Sequence, residues 1–350
     1  MSAGPTGERT SLLGQLAAEW LPFPLPLGRL PDATPADGPD PYGERDSEWL
    51  RIDWSQHLRR IDVPMPSERA GANGSRPTTG TTPTRVHYAE MGPDDAAKLA
   101  VVLVHGLSGS WQNWLENIPH LARRRRVIAL DLPGFGDSPM PPWTLSIESY
   151  GRLLHRFCEA IGVEDCVVIG NSMGGFISAE AAIVQPGRFE RLGLVAAAGI
   201  SHARMRRQPI ETSARMAAAV TPLVLKAQAR ALRRSRVRWA TFRGIFHRPQ
   251  RLRPELLIEQ FQHGAGKPGF LPAVSGLVGY DILDRLGEID VPALVVWGRN
   301  DRIVPAHDAL AYAKRIRDAR LVILDGTGHC PQLERPVRFN RLLDGFLADA

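Results

Sequence analysis

Three residue types that can together activate a weak nucleophile stand at the ends of separate apolar runs. Ser172 lies in Gly170-Asn171-Ser172-Met173-Gly174, Asp301 in Gly298-Arg299-Asn300-Asp301, and His329 in Gly326-Thr327-Gly328-His329-Cys330-Pro331. A serine hydroxyl attacks a carbonyl only with a base in hydrogen-bond reach, and His329 is the candidate base. The imidazole in turn needs a carboxylate that orients it and stabilises its cation, and Asp301 is the candidate. Asp325 is too close in sequence to His329, Asp281 and Asp284 fall in or beside a helical insertion, and Asp137 shapes a glycine turn. Attack on a carbonyl creates an oxyanion that two backbone donors must meet. Met173 N–H, directly after the serine, and Leu107 N–H, in the loop His105-Gly106-Leu107-Ser108, are the candidates, with His105 hydrogen-bonding inside that loop. Trp111, Trp114 and Phe176 are candidate substrate contacts.

The elements around these residues explain how they could meet. Cys166 to Ile169 is an apolar, β-branched run that reads as a buried parallel strand. It turns at Gly170 to Gly174 into the Ala-rich stretch Phe176 to Ile183, which reads as a helix. So tight a strand-to-helix turn needs small residues on both sides, and it pushes Ser172 clear of the sheet at the helix N-terminus. Further strands are predicted at 99–104, 126–130, 191–195, 292–297 and 320–324, with helices at 147–161, N-capped by Ser146, and 335–348. Alternating strands and helices imply an α/β architecture, a mostly parallel sheet covered on both faces. Ligand sites in such sheets gather at the carboxyl ends of strands, where His105, Ser172, Asp301 and His329 all fall.

The rest of the chain divides by composition. Residues 1–55 form a Pro-rich extension, partly disordered or laid along the body, in which Ser11 to Leu21 could form a short helix. His57 to Val63 and Arg85 to Met91 read as an edge hairpin, with Pro64 to Pro83 as a flexible loop. The core spans 56–199 and 288–350, interrupted by a helical, arginine-rich insertion at 200–287 that reads as a cap. From Arg204 to Arg253 the only acids are Glu211, and just beyond it Glu255 and Glu259 follow. That basic face, interleaved with apolar runs at 217–220 and 222–225, reads as solvated, with peripheral contact to an anionic membrane as a further expectation. Too few aromatic residues accompany it for nucleic-acid binding. Three cysteines in 350 residues give no disulfide framework, which together with the lack of a leader-like segment points to the cytoplasm. No metal-ligand cluster and no dinucleotide fingerprint is present, so the reading requires neither metal nor cofactor.

Jointly, His105-Gly106, Asp131-x-Pro133-Gly134-x-Gly136-x-Ser138, Gly170-x-Ser172-x-Gly174, Gly298-x-x-Asp301 and Gly328-His329-x-Pro331-x-x-Glu334-x-Pro336 resemble the capped α/β-hydrolase superfamily from about His57 onward. The order Ser172, Asp301, His329 is that superfamily's order. The resemblance implies a serine hydrolase. Branches with an aspartate nucleophile, the haloalkane dehalogenases and epoxide hydrolases, are excluded by Ser172. Asn171-Ser172-Met173-Gly174-Gly175 is similar to carbon–carbon bond hydrolases that cleave ring-fission products. Those usually carry Trp where this chain has Cys330, and a more glycine-rich loop than Leu107-Ser108-Gly109-Ser110. The expectation is therefore hydrolysis of a small hydrophobic carboxylic ester. Carbon–carbon hydrolysis of a vinylogous diketone acid and cofactor-free perhydrolysis are the alternatives.

Overall fold

The computed structural model describes residues 29–69, 78–95, 98–163, 165–201, 230–264 and 266–348. Eight strands form one sheet: β1 (Leu58–Arg69), β2 (Thr78–Met91), β3 (Ala100–Val104), β4 (Val127–Leu130), β5 (Cys166–Asn171), β6 (Arg191–Val195), β7 (Ala293–Gly298) and β8 (Ala319–Leu324). Their order is β1-β2-β4-β3-β5-β6-β7-β8. The last six in that order run parallel, and β2 pairs antiparallel with both β1 and β4. This is the α/β-hydrolase fold expected from the sequence.

Alternate residues along the central strands enter two cores. Ala100, Val102 and Val104 of β3 point to one face, and Val101 and Leu103 to the other. A strand buried on both sides must be apolar throughout, which is why β3, β5 and β7 read as unbroken apolar runs. The first face is covered by α1 (Ile147–Ala160), α2 (Met173–Val184) and, after the insertion, the helix His307–Arg315. Ser146 caps α1, accepting from Ser149 N at 3.1 Å. The second face packs Trp114, Leu115 and Ile118 with Phe339 and Leu343 of the closing helix.

The described part of the insertion between β6 and β7 carries α3 (Ser235–Phe242), α4 (Pro254–Gly264) and α5 (Phe270–Leu277). The helix at 307–315 is α6, and α7 (Pro331–Glu334) and α8 (Pro336–Phe346) close the chain. The apolar runs at 217–220 and 222–225 and the arginines from 204 to 215 lie outside the described residues, as does the stretch from Ser11 to Leu21. No helix of the described residues is long and apolar enough to cross a membrane.

One expectation changes. The loop expected from Pro64 to Pro83 is strand over its described residues, with β1 and β2 paired as far as Arg69 and Thr78. Pro64 faces Pro83 across the hairpin. Two facing prolines exchange no hydrogen bond, so each nitrogen points away from its partner. β1 is the sheet edge and β2 meets β4 only from Tyr88 to Met91, so no other strand needs those missing donors. The extension lies along the body over its described residues, one of the two expectations for it. Residues 29–56 are strapped across the body: Thr34 N donates to Ile323 O at 3.0 Å, Arg338 Nη1 to Asp40 Oδ2 at 3.1 Å, and Ser47 Oγ and Trp49 Nε1 both to Glu116 Oε1.

The turn between β5 and α2 is closely packed. A Cβ on Gly174 would lie 2.3 Å from Val104 O and 2.5 Å from His105 O. Gly174→Ala therefore forces two backbones apart and should destabilise by about 3 kcal/mol or abolish soluble expression. Gly345→Ala, in α8 with open space around it, should instead stabilise by about 1 kcal/mol. Urea midpoints of the two variants check this.

Candidate active site

Strand β3 is flanked by β4 on one side and β5 on the other, so the chain reverses its direction of winding there. In sheets of this kind a ligand crevice falls at such a reversal, beyond the carboxyl ends of the flanking strands, here β3 and β5. Val104 and Gly170 are register partners, so the loop after β3 and the turn after β5 emerge side by side. A Cβ on Gly106 would come 3.0 Å from Ser172 Cβ and 3.6 Å from its Oγ. Only glycine lets the Gly106–Leu107 backbone lie against the hydroxyl.

Ser172 has φ 57° and ψ −119°, outside the regions open to ordinary residues. Such a conformation costs on the order of 1–3 kcal/mol and persists where the surroundings over-determine it. Here Ser172 N donates to Val195 O at 2.9 Å, and Ser172 O accepts from Phe176 N at 3.1 Å and Ala198 N at 3.0 Å. Met173 opens α2, so its N–H lies in the first turn, where no intrahelical acceptor exists. The side chain is thereby held proud of the sheet at the start of α2, against the backbone of Gly106.

His329 Nδ1 donates to Asp301 Oδ2 at 2.8 Å, and the Asp301 side chain is fully buried. Asp301 Oδ1 accepts from Ile303 N at 2.8 Å and Val304 N at 3.0 Å, so both oxygens are committed and the carboxylate cannot swing. With Nδ1 carrying the proton, the lone pair is on Nε2, the nitrogen a base would use. The backbone of His329 is fixed from two sides. Its N–H donates to Ile245 O of the insertion at 2.8 Å, and its carbonyl accepts from Asn171 Nδ2 at 3.2 Å. Asn171 precedes Ser172, so one amide side chain ties the histidine loop to the serine turn.

The loop carrying Leu107 is set by buried groups. Leu132 N donates to His105 Nε2 at 2.9 Å, so the Nδ1 proton goes to Gly106 O at 2.7 Å. Complete burial pushes His105 down to about 4, and it stays neutral. Asp131, pushed up to about 7 by burial, accepts from Trp111 N at 2.7 Å and Asp137 N at 2.8 Å. The insertion rests on the same loop. Gln260 Nε2 donates to Gln112 O at 2.8 Å, and a Cβ on Gly264 would strike Ser108 O.

Ser172 with Met173, Asp301, His329 and Leu107 thus come from four chain segments to one end of the sheet. The three expected substrate contacts are placed differently. Trp114 is fully buried with its ring 6.4 Å from Phe339, inside the second core. Trp111 packs tilted against Trp54 with ring centres 4.8 Å apart, and Phe176 packs on Tyr280 at 5.6 Å. The sequence reading missed Asn171 as a bridge, whose only signal was its place in the serine motif. Glu334, in the histidine motif, shows no role from the sequence alone. Glu334 is fully buried, and burial pushes it up to about 7 although it accepts from Gly328 N at 2.9 Å and His247 N at 2.8 Å.

An alpha/beta hydrolase fold family matches residues 100–336. A 2-hydroxy-6-oxo-6-phenylhexa-2,4-dienoate hydrolase of Comamonas testosteroni is 31% identical over 280 residues, 75% of this chain and 91% of that protein. A 2-hydroxymuconate semialdehyde hydrolase of Pseudomonas sp. is 31% identical over 278 residues, 73% of this chain and 89% of that protein. Among solved structures, a thermophilic esterase from Thermogutta terrifontis aligns with TM-score 0.63 at 24% identity, covering 83% of this chain and 98% of its own.

The neutrality of His105 has a pH consequence. The unfolded chain takes up this proton near pH 6.5 and the folded chain near 4. The unfolded state binds more protons between those values, so this group's stabilisation is complete above pH 6.5 and is lost as pH falls to about 4. The difference in urea midpoint between the wild type and His105→Gln should be widest above pH 6.5 and shrink towards pH 4. A difference that is constant over the range would contradict a neutral, buried His105.

Proposed function

Because this chain belongs to the α/β-hydrolase fold family and is a hydrolase, we propose that it cleaves a carbon–carbon bond of a vinylogous diketone acid through an acyl-Ser172 intermediate. The observation that carries the bond type is the pair of curated relatives above, both named for dienoate or muconate semialdehyde substrates and both matched over most of their length. The geometry supports the mechanism. Ser172 Oγ attacks the substrate carbonyl and His329 Nε2 takes the hydroxyl proton. Asp301 keeps the Nδ1 proton in place and stabilises the imidazolium. Met173 and Leu107 N–H meet the oxyanion. When the tetrahedral intermediate collapses, the carbon leaving group departs as an enolate conjugated through the acid's second carbonyl, and His329 returns the proton. Water, activated by His329, then releases the acid from Ser172. We read the insertion as the cap of this site, because its Ile245 carbonyl and its Gln260 amide engage the histidine loop and the oxyanion loop.

Ester hydrolysis, the expectation from sequence, requires the same acyl-serine chemistry and is the second reading. The observation favouring it is Cys330, buried beside His329 where carbon–carbon hydrolases usually carry Trp. The two readings separate on substrates. We expect kcat/KM for 2-hydroxy-6-oxo-6-phenylhexa-2,4-dienoate to exceed that for p-nitrophenyl acetate by roughly 100-fold or more, the scale of discrimination by a shaped pocket. The reverse ranking makes the protein an esterase. With the better substrate, Ser172→Ala should lower kcat by about 10⁴-fold or more with the circular dichroism spectrum unchanged. Asp301→Asn should lower it by roughly 10⁴-fold, because the amide favours the wrong imidazole tautomer.

A further inference from the structure

His329 sits between two residues whose backbone amides point at one carboxylate. Gly328 N donates to Glu334 Oε1 at 2.9 Å, and Cys330 N lies 3.4 Å from the same oxygen. The other oxygen, Oε2, accepts from His247 N of the insertion at 2.8 Å and from the hydroxyl of Tyr42 in the N-terminal extension. The Tyr42 oxygen in turn accepts from Arg248 N at 2.8 Å, and Gly43 N donates to Glu334 O at 2.8 Å. The Tyr42 ring is clasped by two guanidiniums, Arg335 at 5.0 Å and Arg251 at 5.9 Å from its centre. A buried carboxylate needs donors on both oxygens, and an unfilled site costs the desolvation of that oxygen. Tyr42 is the only side-chain donor to Glu334 among the described hydrogen bonds; the others are backbone amides. The family match begins at residue 100, so Tyr42 comes from outside it.

We propose that Tyr42 is a positioning residue for His329: its hydroxyl completes the donor set of Glu334, and Glu334 holds the backbone on both sides of the histidine. The N-terminal extension is then part of the machinery that sets the histidine loop and seats the insertion on it. Loss of the hydroxyl leaves Oε2 with one donor and strands Arg248 N–H without its acceptor. The carboxylate rotates or takes a proton, and the Gly328 and Cys330 amides lose their fixed anchor. His329 Nε2 moves relative to Ser172, a change in the reacting geometry and not in the binding of substrate. The effect therefore falls on kcat and not on KM. A displacement of this kind, far from the reacting atoms, can cost up to about 100-fold in rate.

This proposal rests on His329 being the base. The test is Tyr42→Phe, which keeps the ring between Arg335 and Arg251 and removes only the oxygen. We expect kcat to fall about tenfold with KM within about twofold, and a thermal midpoint well above the assay temperature. Glu334→Gln should lower kcat further, and Tyr42→Phe added to Glu334→Gln should have almost no additional effect, because both act through one carboxylate. Wild-type kcat in a folded Tyr42→Phe protein overturns the proposal, as does an effect on KM alone or full additivity of the two substitutions. His329→Ala, assayed in parallel, separates the two layers. If it is inactive while Tyr42→Phe is fully active, Tyr42 has no positioning role and the base assignment stands. If it retains activity, the base assignment itself fails.

Discussion

The backbone of Ser172 at φ 57° is the constraint on which the rest of the structure depends. A serine held there needs a strand and a helix so close that no side chain fits between them. Gly170 would place a Cβ 2.2 Å from Gly174 O, and Gly175 would place one 2.7 Å from Ala197 Cβ. The cost of the turn is met by three backbone hydrogen bonds to β6 and its following loop and to α2, and by the apolar cores on either side of β5. A rigid, doubly buried sheet can hold a strained residue in one orientation, where a surface loop would relax it.

Around that fixed point the partners are mounted on loops, and each loop is tied down by something outside the sheet. Asp301 is pinned by the amides of its own turn. The histidine loop is anchored through Asn171 to the serine turn, through Ile245 to the insertion and through Glu334 to the extension. The loop of Leu107 is oriented by neutral His105 and by Asp131. These buried polar groups are each satisfied by backbone donors or acceptors, the condition under which burying them specifies geometry without a large net penalty. The insertion and the extension are then more than covers, because each contributes hydrogen bonds to the segment that carries His329.

Much of this was legible in the sequence because parallel strands buried on both faces must be continuously apolar. β3, β5, β6, β7 and β8 were each located to within a residue or two, and the chemistry-bearing residues followed from what stood at their ends. The edge hairpin is legible in the sequence, but not how far its strands extend, because Pro64, Pro66 and Pro83 argue against strand everywhere except where no neighbour needs their missing donors, and that is a property of the assembled sheet. Nothing in the sequence around Trp114 distinguishes a cleft wall from the core contact with Phe339 that it makes. Tyr42 carried no signal at all. It sits in a Pro-rich stretch and meets Glu334 across 292 residues of sequence, a pairing that no local pattern encodes.

The central claim is that Ser172 is a nucleophile activated by its surroundings. Treatment of the native protein with a fluorophosphonate, followed by intact mass and peptide mapping, tests it without knowledge of the substrate. The account predicts a single phosphonyl adduct on the peptide containing Ser172, and none when the protein is unfolded in urea before treatment. No adduct on the native protein, or an adduct on another serine, would contradict it.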